Sequence, residues 1–263
     1  MGTVNLNNIR IGYIMNQFFL GLSISLILLS VQPHIITSAE TELHDKLIYD
    51  TLLTTLDPYI SEEVVHYYGY YKQYGLFDAR IIKVIRKSEG SYSFTVTVQV
   101  NTFEHAHNPP YGKETITFDV SPFGVKVIDF VHKGDEEEMK IKEFYEKVLS
   151  DIQQTFNLRL ESFSKYSYEQ LLYKSEKQKE YKVLSDIVTD IIVNDLNPDI
   201  KPPYKNVIDP VTFIKGTQGY ILFKSPDGTN IVLQVAMENG IWVVVEKKNK
   251  QGEKMQNELI WYM

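Results

Sequence analysis

Cysteine is absent from this chain of 263 residues. Disulfides, a thiolate nucleophile, Cys-ligated zinc or iron–sulfur centres and a lipidated cysteine are therefore closed to it. Basic charge is in deficit too: 27 Lys+Arg stand against 34 Asp+Glu, a net charge of -7 and a pI near 5.4. That balance argues against nucleic acid as a partner, because a phosphate backbone is held chiefly by clustered cations. No Gly-x-Ser-x-Gly elbow, Gly-x-x-x-x-Gly-Lys-Ser/Thr phosphate loop, His-Glu-x-x-His or Gly-x-Gly-x-x-Gly is present, so no cofactor is expected. With 43% hydrophobic and 23% charged residues, what is present is ordinary globular material with a real core.

The first 39 residues lack Asp, Glu and Lys, and Arg10 is their single Arg. Phe18 to Val31 is a continuous apolar-to-small run, long enough for a signal-peptide core but shorter than the roughly 20 residues of a spanning helix. Pro33 breaks it, and Thr37-Ser38-Ala39 followed by Glu40 offers a cleavage site after Ala39. The expectation is a secreted or extracytoplasmic protein, residues 1–39 being the signal peptide. The alternative is a retained N-terminal anchor from Ile11 to Ile36, which Asn16, Gln17, Gln32 and Pro33 disfavour. The membrane is then a partner only through an uncleaved leader.

Beyond Ala39, Leu43, Leu47, Ile48, Leu52 and Leu56 have helical spacing. Asp57-Pro58 predicts an interruption, with Pro58 starting a second short helix that ends at Gly69. Strand chemistry follows in Leu76–Ile85, Tyr92–Thr102, Glu114–Val120 and Val125–Val131, separated by Ser88-Glu89-Gly90, by the segment His105–Gly112 and by Ser121–Gly124. Phe94, Val96, Val98 and Val100 alternate with Thr95, Thr97, Gln99 and Asn101, so this sheet has one buried and one wet face. Asp135 with Glu138 reads as a capping box ahead of a stripe through Ile141, Tyr145, Val148 and Ile152. Ser167 with Gln170 opens another helix running to about Asn194, polar from Lys174 to Lys182 and apolar from Val183 to Ile192. Strand runs recur at Val211–Ile214, Tyr220–Phe223, Ile231–Ala236 and Ile241–Val245, with Glu238-Asn239-Gly240 as a hairpin turn. Lys247–Lys254 reads as a polar loop, and Leu259–Tyr262 as a last strand or docked tail. The fold class is α+β. Two small units, each helical and then antiparallel, are joined by a helical segment, with boundaries at 40–133, 134–197 and 198–263.

Six blocks carry a resemblance. They are Leu56–Ile60, Tyr67-Tyr68-Gly69, Tyr74-Gly75-Leu76-Phe77-Asp78-Ala79, Val98–Phe103, His107-Asn108-Pro109-Pro110-Tyr111-Gly112 with Glu114–Phe118, and Gly124–Val127. Residues from about 43 to 132 resemble a family of small secreted proteins of spore-forming Gram-positive bacteria, catalogued as a domain of unknown function. The resemblance implies secretion and an α+β domain, and no activity. Gly219–Phe223 through Gly240–Val244 is similar to the terminal hairpins of cystatin-like and nuclear-transport-factor-like envelope domains.

Two groups of residues could carry function. Tyrosine numbers 18, and Tyr67, Tyr68, Tyr70, Tyr71 and Tyr74 crowd one window where they cannot all be buried. Exposed tyrosine supplies flat apolar area with a polar tip. His105 and His107 share one side of an extended segment, and with His132 and Glu104, Glu114 or Asp129 they are candidate divalent-metal ligands. The competing reading makes Asn108–Gly112 a rigid turn held by His107, with either proline bond open to the cis form. The function expected is that of a secreted, non-catalytic binding or regulatory module of the bacterial envelope. Tyr67, Tyr68, Tyr70, Tyr71, Tyr74, His107, Asn108 and Tyr111 would form its contact surface, for an envelope protein or cell-wall polymer. The alternative is a metal-dependent or hydrolytic enzyme using His105 and His107 with a nearby carboxylate, His132 being the third candidate metal ligand.

Overall fold

The computed structural model of the protein describes residues 38–104, 107–196, 209–225 and 227–254. The leader run Phe18–Val31, His105, the Asn197–Pro203 breakers and the tail Leu259–Tyr262 lie outside them. The chain divides into two compact units, 1–50 and 51–263. Of the first, the described part is the beginning of helix α1 (Ser38–Tyr68), where Leu43, Leu47 and Ile48 are exposed. Among the described residues no helix is long and apolar enough to cross a membrane.

The second unit is built on two antiparallel sheets, as the α+β expectation requires. Helix α1 runs through Pro58 without a break, contrary to the two helices expected. A proline inside a helix costs about 3 kcal/mol. Leu53, Leu56, Ile60 and Val64, on both sides of Pro58, are buried on one stripe, each contributing about 1.5–3 kcal/mol. The tertiary stripe overrides the local breaker.

The first sheet contains β1 (Gln73–Tyr74), β2 (Arg80–Arg86), β3 (Phe94–Glu104), β4 (Asn108–Ser121) and β5 (Gly124–Gly134). Strands β3, β4 and β5 are successive antiparallel neighbours, and both β1 and β2 pair with β3. Val96, Val98, Val100, Ile116 and Phe118 pack under α1, while the intervening residues of β3 and β4 lie on the opposite, polar face. There Thr97 and Thr117 hydroxyls meet at 3.3 Å and Gln99 Nε2 donates to Thr115 Oγ1 at 3.4 Å. Asn108–Gly112 is not a turn. It is the outer end of β4, with Asn108 opposite Glu104. Pro109 and Pro110, joined by a cis bond, are tolerated because β5 ends at the Gly112–Gly134 pair and claims no N–H from them.

The second sheet is the meander β6 (Ser164–Tyr166), β7 (Val211–Lys215), β8 (Gln218–Lys224), β9 (Thr229–Glu238) and β10 (Ile241–Gln251). It does not repeat the first in shorter form, because both of its faces are covered. On one side α2 (Glu136–Phe156) sets Phe144, Val148, Leu149 and Ile152 against Val211, Phe213, Leu222 and Val232. On the other, α3 (Tyr168–Lys177), α4 (Lys182–Asp190) and the π-helical Ile191–Leu196 bring Leu171, Leu184, Val188 and Ile191 onto Ile214, Ile221, Phe223, Leu233, Val235 and Trp242. The single helix expected from Ser167 to Asn194 is broken at Gln178, where a 3-10 turn, Lys179–Tyr181, resets the direction. Lys247–Gln251, expected as loop, continues β10 past a bulge at Val244/Glu246, and its lysines guard an edge strand.

Candidate functional site

On the polar face of the first sheet, the edge beside β3 is interrupted. Strand β1 pairs with Thr102 and Phe103, β2 with residues from Gln99 downward, and between them Leu76–Asp78 forms a 3-10 turn opposite Asn101. Asn101 Nδ2 donates to Asp78 Oδ2 and ties that excursion to the strand. The result is an open cleft of about 520 Å³ lined by Gly75, Phe77, Asp78, Asn101, Phe103, His107 and Tyr111. Phe77 is 81% exposed, yet its ring lies directly over Gly75, where a Cβ would strike it. A side chain at position 75 would displace the ring from this seat. The His107 imidazole sits between two rings: Phe103 at 4.2 Å and 45°, and Phe77 at 5.6 Å and 76°. Its backbone has φ 71°, and its carbonyl accepts from Tyr111 Oη at 2.7 Å. Tyr111, and not the His107 imidazole, therefore holds the end of the hairpin.

The opposite, helix-covered face at the same sheet end holds a closed polar cluster. Glu114 is fully buried. Its Oε1 accepts from Tyr68 Oη at 2.7 Å and Thr102 Oγ1 at 3.0 Å, and its Oε2 lies 2.9 Å from His132 Nδ1. His132 Nε2 is 2.9 Å from Glu138 Oε2, so the imidazole bridges the two carboxylates. Tyr67 stacks on the imidazole at 4.7 Å. Gly112 and Gly134 face each other across the ladder, and neither has room for a Cβ, which would fall on Glu114, Thr102 and Tyr68 in one case and on Glu138 in the other. Asp135 caps α2, accepting from Glu138 N at 2.8 Å, but the reciprocal half of the expected capping box is missing. Asp135 N–H donates to Tyr111 O, and the Glu138 carboxylate turns to His132. The Glu138 side chain thereby joins the cluster.

The tyrosine window splits. Tyr68, Tyr70 and Tyr74 turn their hydroxyls to Glu114, Glu104 and Asp57. Burial first, then these carboxylates, pushes all three phenols well above their ordinary value. Tyr67 and Tyr71 remain exposed. Glu104 also pairs with buried Lys72. From the expected contact set the cleft takes His107 and Tyr111; Asn108 is exposed beside it. His107 and His132 stand in separate neighbourhoods, and among the described residues no group of three or more His, Asp or Glu is placed to hold a metal ion. Phe77, Asp78, Asn101 and Phe103 went unsuspected from sequence. The signal that would have found them is that all seven lining residues fall in three of the blocks that carry the resemblance.

Helix, five-stranded antiparallel sheet and an aromatic-lined cleft on its uncovered face define a small α+β domain. Residues 48–133, which contain the whole cleft, match the model of a family described as "Protein of unknown function (DUF3888)". The expected resemblance to a domain-of-unknown-function family is thus supported over that stretch. No curated protein matches the chain.

Proposed function

We propose that the protein is a secreted, non-catalytic binding module of the bacterial envelope and that the cleft between Phe77 and Tyr111 is its site. The observation that supports this most is the exposed Phe77 ring, seated on Gly75 and facing Phe103, His107 and Tyr111 across a concave opening. A large apolar ring left in water beside other rings, with a carboxylate and an amide among them, is the composition of ligand sites. The groups that would serve acid–base chemistry are engaged internally. His132 has a carboxylate on each nitrogen, and Tyr68 donates to buried Glu114. That arrangement favours a structural role for the cluster and leaves the uncovered face for recognition.

The test uses the full chain expressed with its leader in a Gram-positive host. It should be recovered outside the cytoplasm, sediment with purified envelope, and lose sedimentation in Phe77→Ala and in Tyr111→Ala, the first with an unchanged melting temperature. Cytoplasmic retention, or envelope binding indifferent to both substitutions, would overturn the proposal.

A further inference from the structure

Resting on that proposal, we infer that the cleft takes a small organic ammonium group, as found on a choline-type headgroup or a lysyl side chain. Two features of the lining point there. First, the rings do not form a flat platform. Phe103 and Phe77 are inclined at 45° and 76° to the His107 imidazole, so the rings that line the open cleft are not coplanar. A sugar ring is best met by one flat face, whereas a tetrahedral alkylammonium is best met by several non-parallel π faces, each attracting the cation through its quadrupole. Second, Asp78 places a carboxylate in the same lining. It accepts from the neutral amide of Asn101, and among the described residues no Lys, Arg or His forms an ion pair with it. Arg80, two residues on and opposite Gln99, and Lys113, opposite Asn101 in the ladder, neither line the cleft nor pair with Asp78. A carboxylate among rings, without a cation of its own, supplies the counter-charge that an ammonium ligand brings with it the need for. The chain's net charge of -7 would favour encounter with cations at low salt.

The deciding experiment is an NMR titration of the full chain with choline, tetramethylammonium, Nα-acetyl-lysine amide, the uncharged choline isostere 3,3-dimethylbutan-1-ol, and an N-acetylglucosamine oligomer. Saturable shifts confined to the cleft residues are expected with the ammonium probes, with affinity about tenfold above that for the isostere. A similar loss is expected in Asp78→Asn, which keeps the shape, and in Phe77→Leu, which keeps an exposed apolar group but removes the π face. Choline against acetyl-lysine amide separates the two sources of the ammonium group. Equal binding of the isostere, or ammonium binding untouched by both substitutions, overturns the inference. Glucosamine-oligomer binding in the cleft without ammonium binding overturns the inference alone and leaves the cleft as the binding site. If no probe binds and envelope sedimentation is also indifferent to Phe77→Ala, both fall.

Discussion

The two sheets of this protein solve the same packing problem in different ways. The first is covered by one helix on one face and leaves a face of Thr95, Thr97, Gln99 and Asn101 to water, with the cleft at its end. The second is enclosed by α2 on one side and by α3 and α4 on the other. Its strands accordingly read as runs, Tyr220-Ile221-Leu222-Phe223 and Ile231-Val232-Leu233, where β3 alternates strictly. The difference teaches where each sheet can carry function. A sheet buried on both faces has side chains committed to packing, while a sheet with an uncovered face can present a site without disturbing its core.

Polar anchoring follows the same division. The first sheet keeps a buried carboxylate, Glu114, held by Tyr68, Thr102 and His132. The second keeps a buried ammonium: Lys224, 2% exposed, bonds Asp151 on α2 and the Glu253 carbonyl. Asp151 also accepts from Asn230 Nδ2 at 2.9 Å, and Gly252 presses against both, with no room for a Cβ. This clasp fixes the end of β10 to α2.

The comparison breaks if the enclosed sheet proves as tolerant as the open one. Ile221→Ala, at a fully buried position between β8 and α4, should cost about 3–4 kcal/mol in urea unfolding followed by tryptophan fluorescence. A cost within that of a surface substitution would show that the second sheet is not the stability core. Asp151→Ala, which strands Lys224 without an anion, should cost about 3 kcal/mol. Burial works to raise the Asp151 pKa, but hydrogen bonds from Lys224, Asn230 and Glu253 N–H outweigh it and hold the carboxyl below its ordinary 3.8. A depressed carboxylate stabilises the fold fully above that ordinary value and loses its contribution as pH falls through the lower folded one. Wild type should therefore lose stability below pH about 4 more steeply than Asp151→Ala, and parallel acid melts would remove Asp151 as a contributor. In the first sheet, Glu114→Gln should cost about 2 kcal/mol, since it keeps the shape but takes a fully buried acceptor carboxylate from His132, Tyr68 and Thr102. The checking measurement is urea unfolding followed by far-UV circular dichroism. Smallest of all, Thr97→Ala on the open face should stay within about 0.5 kcal/mol; a larger loss would mean that this face is covered in solution.

Much of the strand content was legible because period-two alternation and Gly- or Asn-bearing turns are local signals. The expected runs at Tyr92–Thr102, Val125–Val131 and Tyr220–Phe223 all fall in or across β3, β5 and β8. What misled was equally local. Pro58, Pro109 and Pro110 carry breaker signals, yet the first sits in a helix whose buried stripe continues past it, and the other two lie where β4 has lost one neighbour. The short edge strand Ser164–Tyr166 has no pattern of its own and exists because β7 offers it a free edge. Of the site, His107 and Tyr111 were visible as unusual residues in an unusual string. Phe77, Asp78, Asn101 and Phe103 were not, because a phenylalanine in a strand-like run looks the same in sequence whether it faces core or water.

By itself the sequence determined what the chain cannot be, a cysteine-dependent, strongly basic or motif-bearing enzyme, and which residues prefer strands, helices and turns, since composition and short-range periodicity act through each residue's own backbone and neighbours. Tertiary structure alone decided that Glu114, His132 and Glu138 close on one another, that the second sheet is covered twice, and that Gly75, Phe77, Asn101 and Tyr111 meet around one cleft. Those outcomes depend on contacts between residues tens of positions apart, whose free energy exists only once the chain has paired its strands in register.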